Sequence, residues 1–305
     1  MLMQWGAENR RRRLLARQAM DSIVLAFIYA GVALSTFLCM APFLNTVAVA
    51  FSSDTAIMAG KVYLWPVEFQ TDAMRAVLAD ASVLRSLGVT VFVTLAGTAL
   101  NLVLTVMTAY PLSRRDFKAR AAFMNYMIVT MLFSGGMIPA YLLIRYLGLY
   151  NTVWSIIIPG AISAFNVIIM KTFFQGLPDE LREAAIVDGC GNSRYLLRVV
   201  LPLSNASLAT VGLFYAVGHW NSYFGAVLYI ENADLYTLQV KLRNLLLLSQ
   251  MDQSLEIIRQ ESGLNVIRES LKAAVVVFAT TPILLVYPFL QKYFVKGSLL
   301  GSIKG

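Results

Sequence analysis

Six separate stretches, at residues 22–44, 84–110, 121–144, 151–173, 203–230 and 273–294, are each apolar for 22 to 28 residues. A helix rises about 1.5 Å per residue, so roughly 20 such residues cross a hydrocarbon core of about 30 Å. None of the six contains Asp or Glu. As helices they satisfy their backbone groups internally. Outer-membrane strands would alternate apolar and polar over about ten residues, and that alternation is absent. The composition points the same way. Hydrophobic residues make up 58% of the 305 and charged residues only 14%, with a mean hydropathy of +0.66. A water-soluble core of this size cannot hide that much apolar surface, which excludes disordered and fibrous chains and nearly all soluble enzymes.

The first window follows Arg10–Arg13 and Arg17, and Ala48-Val49-Ala50 resembles a small-residue cleavage site. A signal h-region runs to only about 7–15 residues, so an uncleaved span is the expectation. Gly135, Gly136, Pro139 and Pro159 fall in the third and fourth windows, where they bend helices or allow close packing.

The net charge of +8 is explained by topology. Positive residues gather at the N-terminus, in 113–121 (Arg114, Arg115, Lys118, Arg120), after the fourth window (Lys171, Arg182, Arg194, Arg198) and in the tail (Lys292, Lys296, Lys304). With six spans all four groups share one side, which places both termini in the cytoplasm. Nucleic acid is not needed as a partner. The predicted architecture is an all-α integral membrane protein of six transmembrane helices, N-in and C-in. It comprises a basic N-terminus at 1–21, a six-helix membrane domain at 22–294 and a tail at 295–305.

Catalytic chemistry has little to draw on. Cys39 and Cys190 show neither metal spacing nor a disulfide framework, and His219 is the sole histidine. No catalytic residue and no metal ligand is expected, and no G-x-x-x-x-G-K-[ST] phosphate loop is present. A membrane-embedded enzyme would need converging acids, histidines or cysteines. A self-sufficient secondary transporter would be expected to carry ion-coupling carboxylates in its spans and often internal repeats.

The connection 176–203, GLPDELREAAIVDGCGNSRYLLRVVLPL, carries the functional signal. Pro178, Asp179 and Glu180 suit a helix start. Leu181, Ala184, Ala185 and Val187 are read as one face, and Gly189 and Gly191 let the chain leave the helix. A second amphipathic stretch, Tyr195–Val200, leads to Leu201-Pro202. The spacing alone describes a surface helix lying against the protein's own ends.

Glu183-Ala184-Ala185, then Asp188-Gly189, then Leu201-Pro202, placed after a fourth span, resembles the EAA loop of ABC importer permease subunits. The likeness runs over nearly the whole chain, and is to the carbohydrate branch that includes the second membrane subunit of the maltose transporter. Ser134–Phe174 and the ending Phe294–Gly305 are similar to members serving complex oligosaccharides. Cys190 departs from the alanine usual there.

The resemblance implies a coupling helix around Pro178–Gly189, held in a cleft of a cytoplasmic ATPase. In that role Glu183 makes polar contacts, Ala184, Ala185 and Gly189 permit a close fit, and Asp188 belongs to the same ATPase-coupling set. It also implies the partners: a homologous second permease, two ATPase subunits that bind ATP and Mg, an extracytoplasmic solute-binding protein and an oligosaccharide, such as an alginate- or pectin-derived acid. The setting is the lipid of the bacterial inner membrane. The tail at 301–305 is expected to reach the ATPases. The 231–272 connection reads either as a contact for the binding protein or as an amphipathic helix on the membrane.

Trp220, Asn221, Tyr223 and Asn166 are the candidate solute contacts, because polar groups inside spans usually face the bundle or water. The other reading of His219 and Asn221 is helix–helix hydrogen bonding. Asn101 and Asn125 are expected to bridge helices, Lys171 to snorkel, and Arg145 to anchor a span end or meet an acidic sugar.

Overall fold

The first apolar window continues well beyond its predicted ends, as one helix of 49 residues, α1 (Leu2–Ala50). The computed structural model describes residues 2–244, 247 and 266–302, and side chains within 21–244, 247 and 269–288. Residues 245–246 and 248–265 of the 231–272 connection and the last three residues of the tail lie outside the described residues. Every regular element described is helical.

The chain divides into two compact units, 1–75 with 261–277 and 76–260 with 278–305. In the first, α1 is followed by α2 (Asp54–Met58), whose first turn is capped by Ser53 Oγ accepting from Ala56 N at 3.2 Å. Ser52 Oγ accepts from Val67 N at 3.0 Å, and Phe51 stacks on Phe69 at 5.6 Å, so residues 60–70 fold back over the end of α1. Helix α3 (Asp72–Ala79) leads out of this unit.

The second unit is organised on α4 (Ala81–Ser113), a helix of 33 residues or about 50 Å, started by Asp80 accepting from Ser82 N. The third window is a bent pair, α5 (Arg120–Leu132) and α6 (Met137–Tyr146), crossing at 114°. The bend lies at Gly136, whose φ of +87° no ordinary L-residue accepts without strain.

The fourth window departs from the expectation of one span. It forms α7 (Trp154–Ile157) and α8 (Ala164–Gln175), with 158–163 outside regular helix. Pro159 removes a backbone donor there, and Ser163 starts α8 afresh by accepting from Asn166 N.

After the connection come α9 (Asp179–Val187), α10 (Asn192–Tyr195), a π turn (Leu196–Val200) and α11 (Leu201–Leu203). The fifth window is α12 (Asn205–Trp220), a break at Asn221–Tyr223, and α13 (Phe224–Tyr229). The α10–α11 segment meets α12 at 82°, just after Pro202. The last window lies in α14 (Val266–Ser302). Among the described residues three helices are long and apolar enough to cross a membrane, or five when each bent pair is one span.

Helices α4, α8 and α12 form the core of the second unit. Val106, Ala109, Val167, Met170, Val211 and Tyr215 pack together there. Along α4 a polar seam with a helical repeat faces its neighbours. Asn101 Nδ2 donates to Gly160 O at 3.3 Å and lies 3.0 Å from His219 Nε2. Thr105 Oγ1 and Tyr215 Oη share a hydrogen bond of 2.7 Å, and Tyr215 Oη also accepts from Ser163 N at 3.1 Å. Gly97 lets α4 and α12 close, since a Cβ there would stand 2.5 Å from His219 Nε2.

Candidate functional site

Helix α9 begins without a side-chain cap. Pro178 enters it in extended geometry (φ −58°, ψ 134°), and Asp179 and Glu180 lie in the first turn, where the dipole favours negative charge. Its end is a Schellman turn. Cys190 N donates to Ala185 O at 2.8 Å and Gly189 N to Ile186 O at 3.0 Å, with Gly189 in the left-handed region at φ +71°. The glycine of the sequence motif thus has a local conformational cause. Gly191 has an ordinary negative φ and ends the turn without that demand.

The face expected from sequence is corrected by the structure. Ala185 and Arg182 are half-buried, and Ala185 packs on the core formed by α4, α8 and α12. Ala184 and Val187, assigned to the same face as Ala185, are exposed. A turn of 100° per residue places 182 and 185 together and carries 187 away. Outward-facing apolar groups result, with Ile186 57% and Val187 87% exposed. Glu183 and Asp188 are also exposed.

Sequence reasoning missed the bracket that holds α9. Arg182 Nη2 donates to Asp116 Oδ2 at 2.6 Å, tying α9 to the turn after α4. Beside it, the Arg114 guanidinium lies over the rings of Tyr110 at 5.6 Å and Tyr195 at 5.9 Å. Tyr195 is buried, which pushes its phenol up, while the charge of Arg114 pulls it down. Gln175 Nε2 donates to Ser113 O at 3.4 Å and joins the ends of α8 and α4. A cleft of about 530 Å³ opens here, lined by Arg114, Asp116, Gln175, Asp179, Arg182 and Glu183 among others. The available signal was Asp116, the one acid in the basic 113–121 connection.

The solute candidates lie elsewhere. Trp220 is buried, with its Nε1 bonded to none of the described residues. Asn221 is exposed and its side chain turns back to Val217 O at 3.0 Å. Tyr223 is half-buried beneath the Arg243 guanidinium at 5.4 Å. Asn166 is buried in the first turn of α8. Trp220, Asn221 and Tyr223 are neighbours in the chain, but no hydrogen bond or ring contact among the described residues joins Asn166 to them. His219 and Asn101 bridge α12 and α4.

The opposite end of the second unit is equally well tied. Arg85 at the start of α4 pairs with Asp234. Asn151 Oδ1 accepts from Glu231 N at 3.0 Å and Asn232 N at 2.8 Å, and Asn151 N donates to Tyr229 O at 2.8 Å.

Residues 101–298 match the family described as binding-protein-dependent transport system inner membrane component. The polygalacturonan/rhamnogalacturonan transport system permease protein YtcP of Bacillus subtilis (strain 168) is 43% identical over 91% of this chain and 97% of its own length. Protein LplC of the same organism is 45% identical over 87% of this chain and 89% of its own. A chain in the crystal structure of a bacterial ABC transporter involved in the import of the acidic polysaccharide alginate superposes with a TM-score of 0.83. It is 30% identical, and the match covers 90% of this chain and 97% of that one.

Proposed function

This chain belongs to the family of binding-protein-dependent transport system inner membrane components, and from that premise we propose that α9 is the element through which partner ATPases drive it. The protein is a permease subunit of an ABC importer for sugars or oligosaccharides, located in the bacterial inner membrane. The observation that carries the coupling role is the outward face of α9. A short helix beyond the apolar core normally turns its apolar side inward. This one turns only the small Ala185 and the polar Arg182 inward, sets Ile186 along the cleft, and leaves Val187 outward to another surface.

In this reading Glu183, Ala184, Asp188 and Gly189 form the ATPase-facing side of the segment, and Ala185 seats it on the core. Closure of two ATPase subunits, which would hold ATP and Mg, moves α9 as a rigid body. The π turn and α12 then pass the motion to α4. The chain supplies half of the pathway in six spans with both termini cytoplasmic, and a second permease supplies the other half. An external binding protein delivers the solute. The cargo is an acidic oligosaccharide, a reading supported by the relative named for polygalacturonan and rhamnogalacturonan and by the alginate importer. Trp220, Asn221, Tyr223 and Asn166 are proposed to contact it.

The test is gentle purification of the tagged chain from its host, followed by uptake assays in vesicles. A complex containing a second permease and ATPases, with ATP-dependent uptake, is the expected result. A chain that purifies alone and moves solute without ATP would overturn the coupling role.

A further inference from the structure

At the end of the second unit opposite α9, three tyrosines and one arginine form a cluster. Tyr141 stacks on Tyr229 (6.3 Å, 17°) and meets Tyr150 edge-on (5.9 Å, 81°). The Arg145 guanidinium sits 4.9 Å from the Tyr150 centroid and 5.9 Å from that of Tyr141. The backbone clip at Asn151, which holds Tyr229 and Glu231 in place, fixes the arrangement. Asn151 itself adopts φ +58°, a geometry asparagine tolerates.

The charge at Arg145 is not spent inside the fold. Arg85, at the same end, is neutralised by Asp234. Arg145 is exposed, and no carboxylate among the described residues lies within ion-pair distance of it. Glu231 is the nearby acid: its charge reaches Tyr150 without an ion pair to Arg145, it too is exposed, and it is its backbone that Asn151 holds. A guanidinium is planar, presents a fork of donors that matches a carboxylate, and stacks on aromatic faces without losing that fork. Tyrosine offers a rigid apolar face with a hydroxyl at its tip. A uronate ring presents the complementary set, one carboxylate and a C–H face.

Resting on the acidic-cargo reading above, we infer that Arg145, held over Tyr150 and Tyr141, is a specificity-determining contact for the carboxylate of an incoming uronate residue.

The test uses the complete transporter in lipid vesicles, with its partner permease, ATPases and binding protein, and trigalacturonate as the probe. Two quantities are measured for the native chain, R145Q and R145K. One is kcat/KM for uptake; the other is the affinity of the sugar-free binding protein for the transporter. Loss of a charge-assisted, two-pronged contact lowers uptake by about tenfold to a hundredfold in R145Q. R145K, which keeps the charge and loses the fork, falls between, and binding-protein affinity stays unchanged in both. Unchanged uptake in R145Q overturns the inference and leaves the acidic-cargo reading standing. A parallel loss of binding-protein affinity also overturns it, because Arg145 would then be docking a protein. If the native transporter does not move trigalacturonate at all, the acidic-cargo reading fails and this inference fails with it.

Discussion

Gly189 separates two explanations of a small residue at the end of α9. A Cβ built there meets no atom within 4 Å, so the chain itself has room for a side chain. The constraint inside the chain is the φ of +71°, which costs an ordinary L-residue about 1–2 kcal/mol and asparagine less. Hydrogen exchange at the Asp188–Cys190 amides of the detergent-solubilised chain reads that cost as easier opening of the turn. Protection there is expected to fall in the order Gly, Asn, Ala. If an ATPase surface closes on Gly189, size matters in addition to conformation. Substrate-stimulated ATP hydrolysis by the assembled transporter is then expected to fall in the order Gly, Ala, Asn, because the asparagine side chain is the larger. Each 1.4 kcal/mol of lost docking lowers apparent affinity about tenfold. The inversion between the two assays is the signature of close approach. If both assays give the same order, the glycine serves the turn alone, and the tight-docking argument at this residue is wrong.

Two further substitutions probe the same pathway. Val187 is 87% exposed, so Val187→Ala should leave melting of the chain within about 0.5 kcal/mol. It removes the equivalent of two methylenes from a docked face, at about 0.8 kcal/mol each, and should weaken ATPase binding roughly tenfold in a titration of subunit against permease. Gly97→Ala places a methyl 2.5 Å from the His219 ring and should lower the melting temperature by an overpacking cost of about 1–3 kcal/mol. His219→Ser on the same background should recover part of that loss, and strict additivity in the melts would refute the interlock.

What could be read from the sequence was whatever depends on neighbours along the chain. The expected helix at Pro178–Gly189 appears as α9, Asp179–Val187, because a proline entry, an acidic first turn and a glycine exit are all local signals. The bend of the third window follows from Gly135-Gly136 in the same way. The faces of α9 were not legible, because which side turns inward is decided by Asp116, 66 residues from Arg182. The interruption of the fourth window was only half legible. Pro159 is visible, yet a proline within 23 apolar residues reads equally as a kinked span, and the fresh start at Ser163 is a backbone event. Among the solute candidates, residue type drew attention to Asn221, but its amide is occupied by its own helix at Val217. Arg145 was legible as a charge at a span end, though its seating on Tyr150 depends on how two elements cross.

In the coupling role proposed for α9, the same local and distant causes would set how a push is transmitted. Its inward contacts are few: Ala185 packs on the core, and the Arg182–Asp116 bridge is partly exposed, a kind of pair that contributes at most about 1 kcal/mol. Its C-terminal turn, by contrast, is conformationally fixed at Gly189 and leads into Cys190 and the buried Tyr195. In that role a force applied to the exposed Ile186 and Val187 meets a weak polar bracket on the α4 side and, on the α10 side, a short hydrogen-bonded turn. Beyond it the π turn and Pro202 give a bend of 82°, and α12 is then locked to α4 through His219, Asn101, Tyr215 and Thr105. A push on α9 can rotate the α10–α11 segment about that bend. To slide α12 along α4 it would have to break buried hydrogen bonds at about 1–3 kcal/mol for each group left unpaired. Rotation of α4 and α12 as one body is the cheaper response.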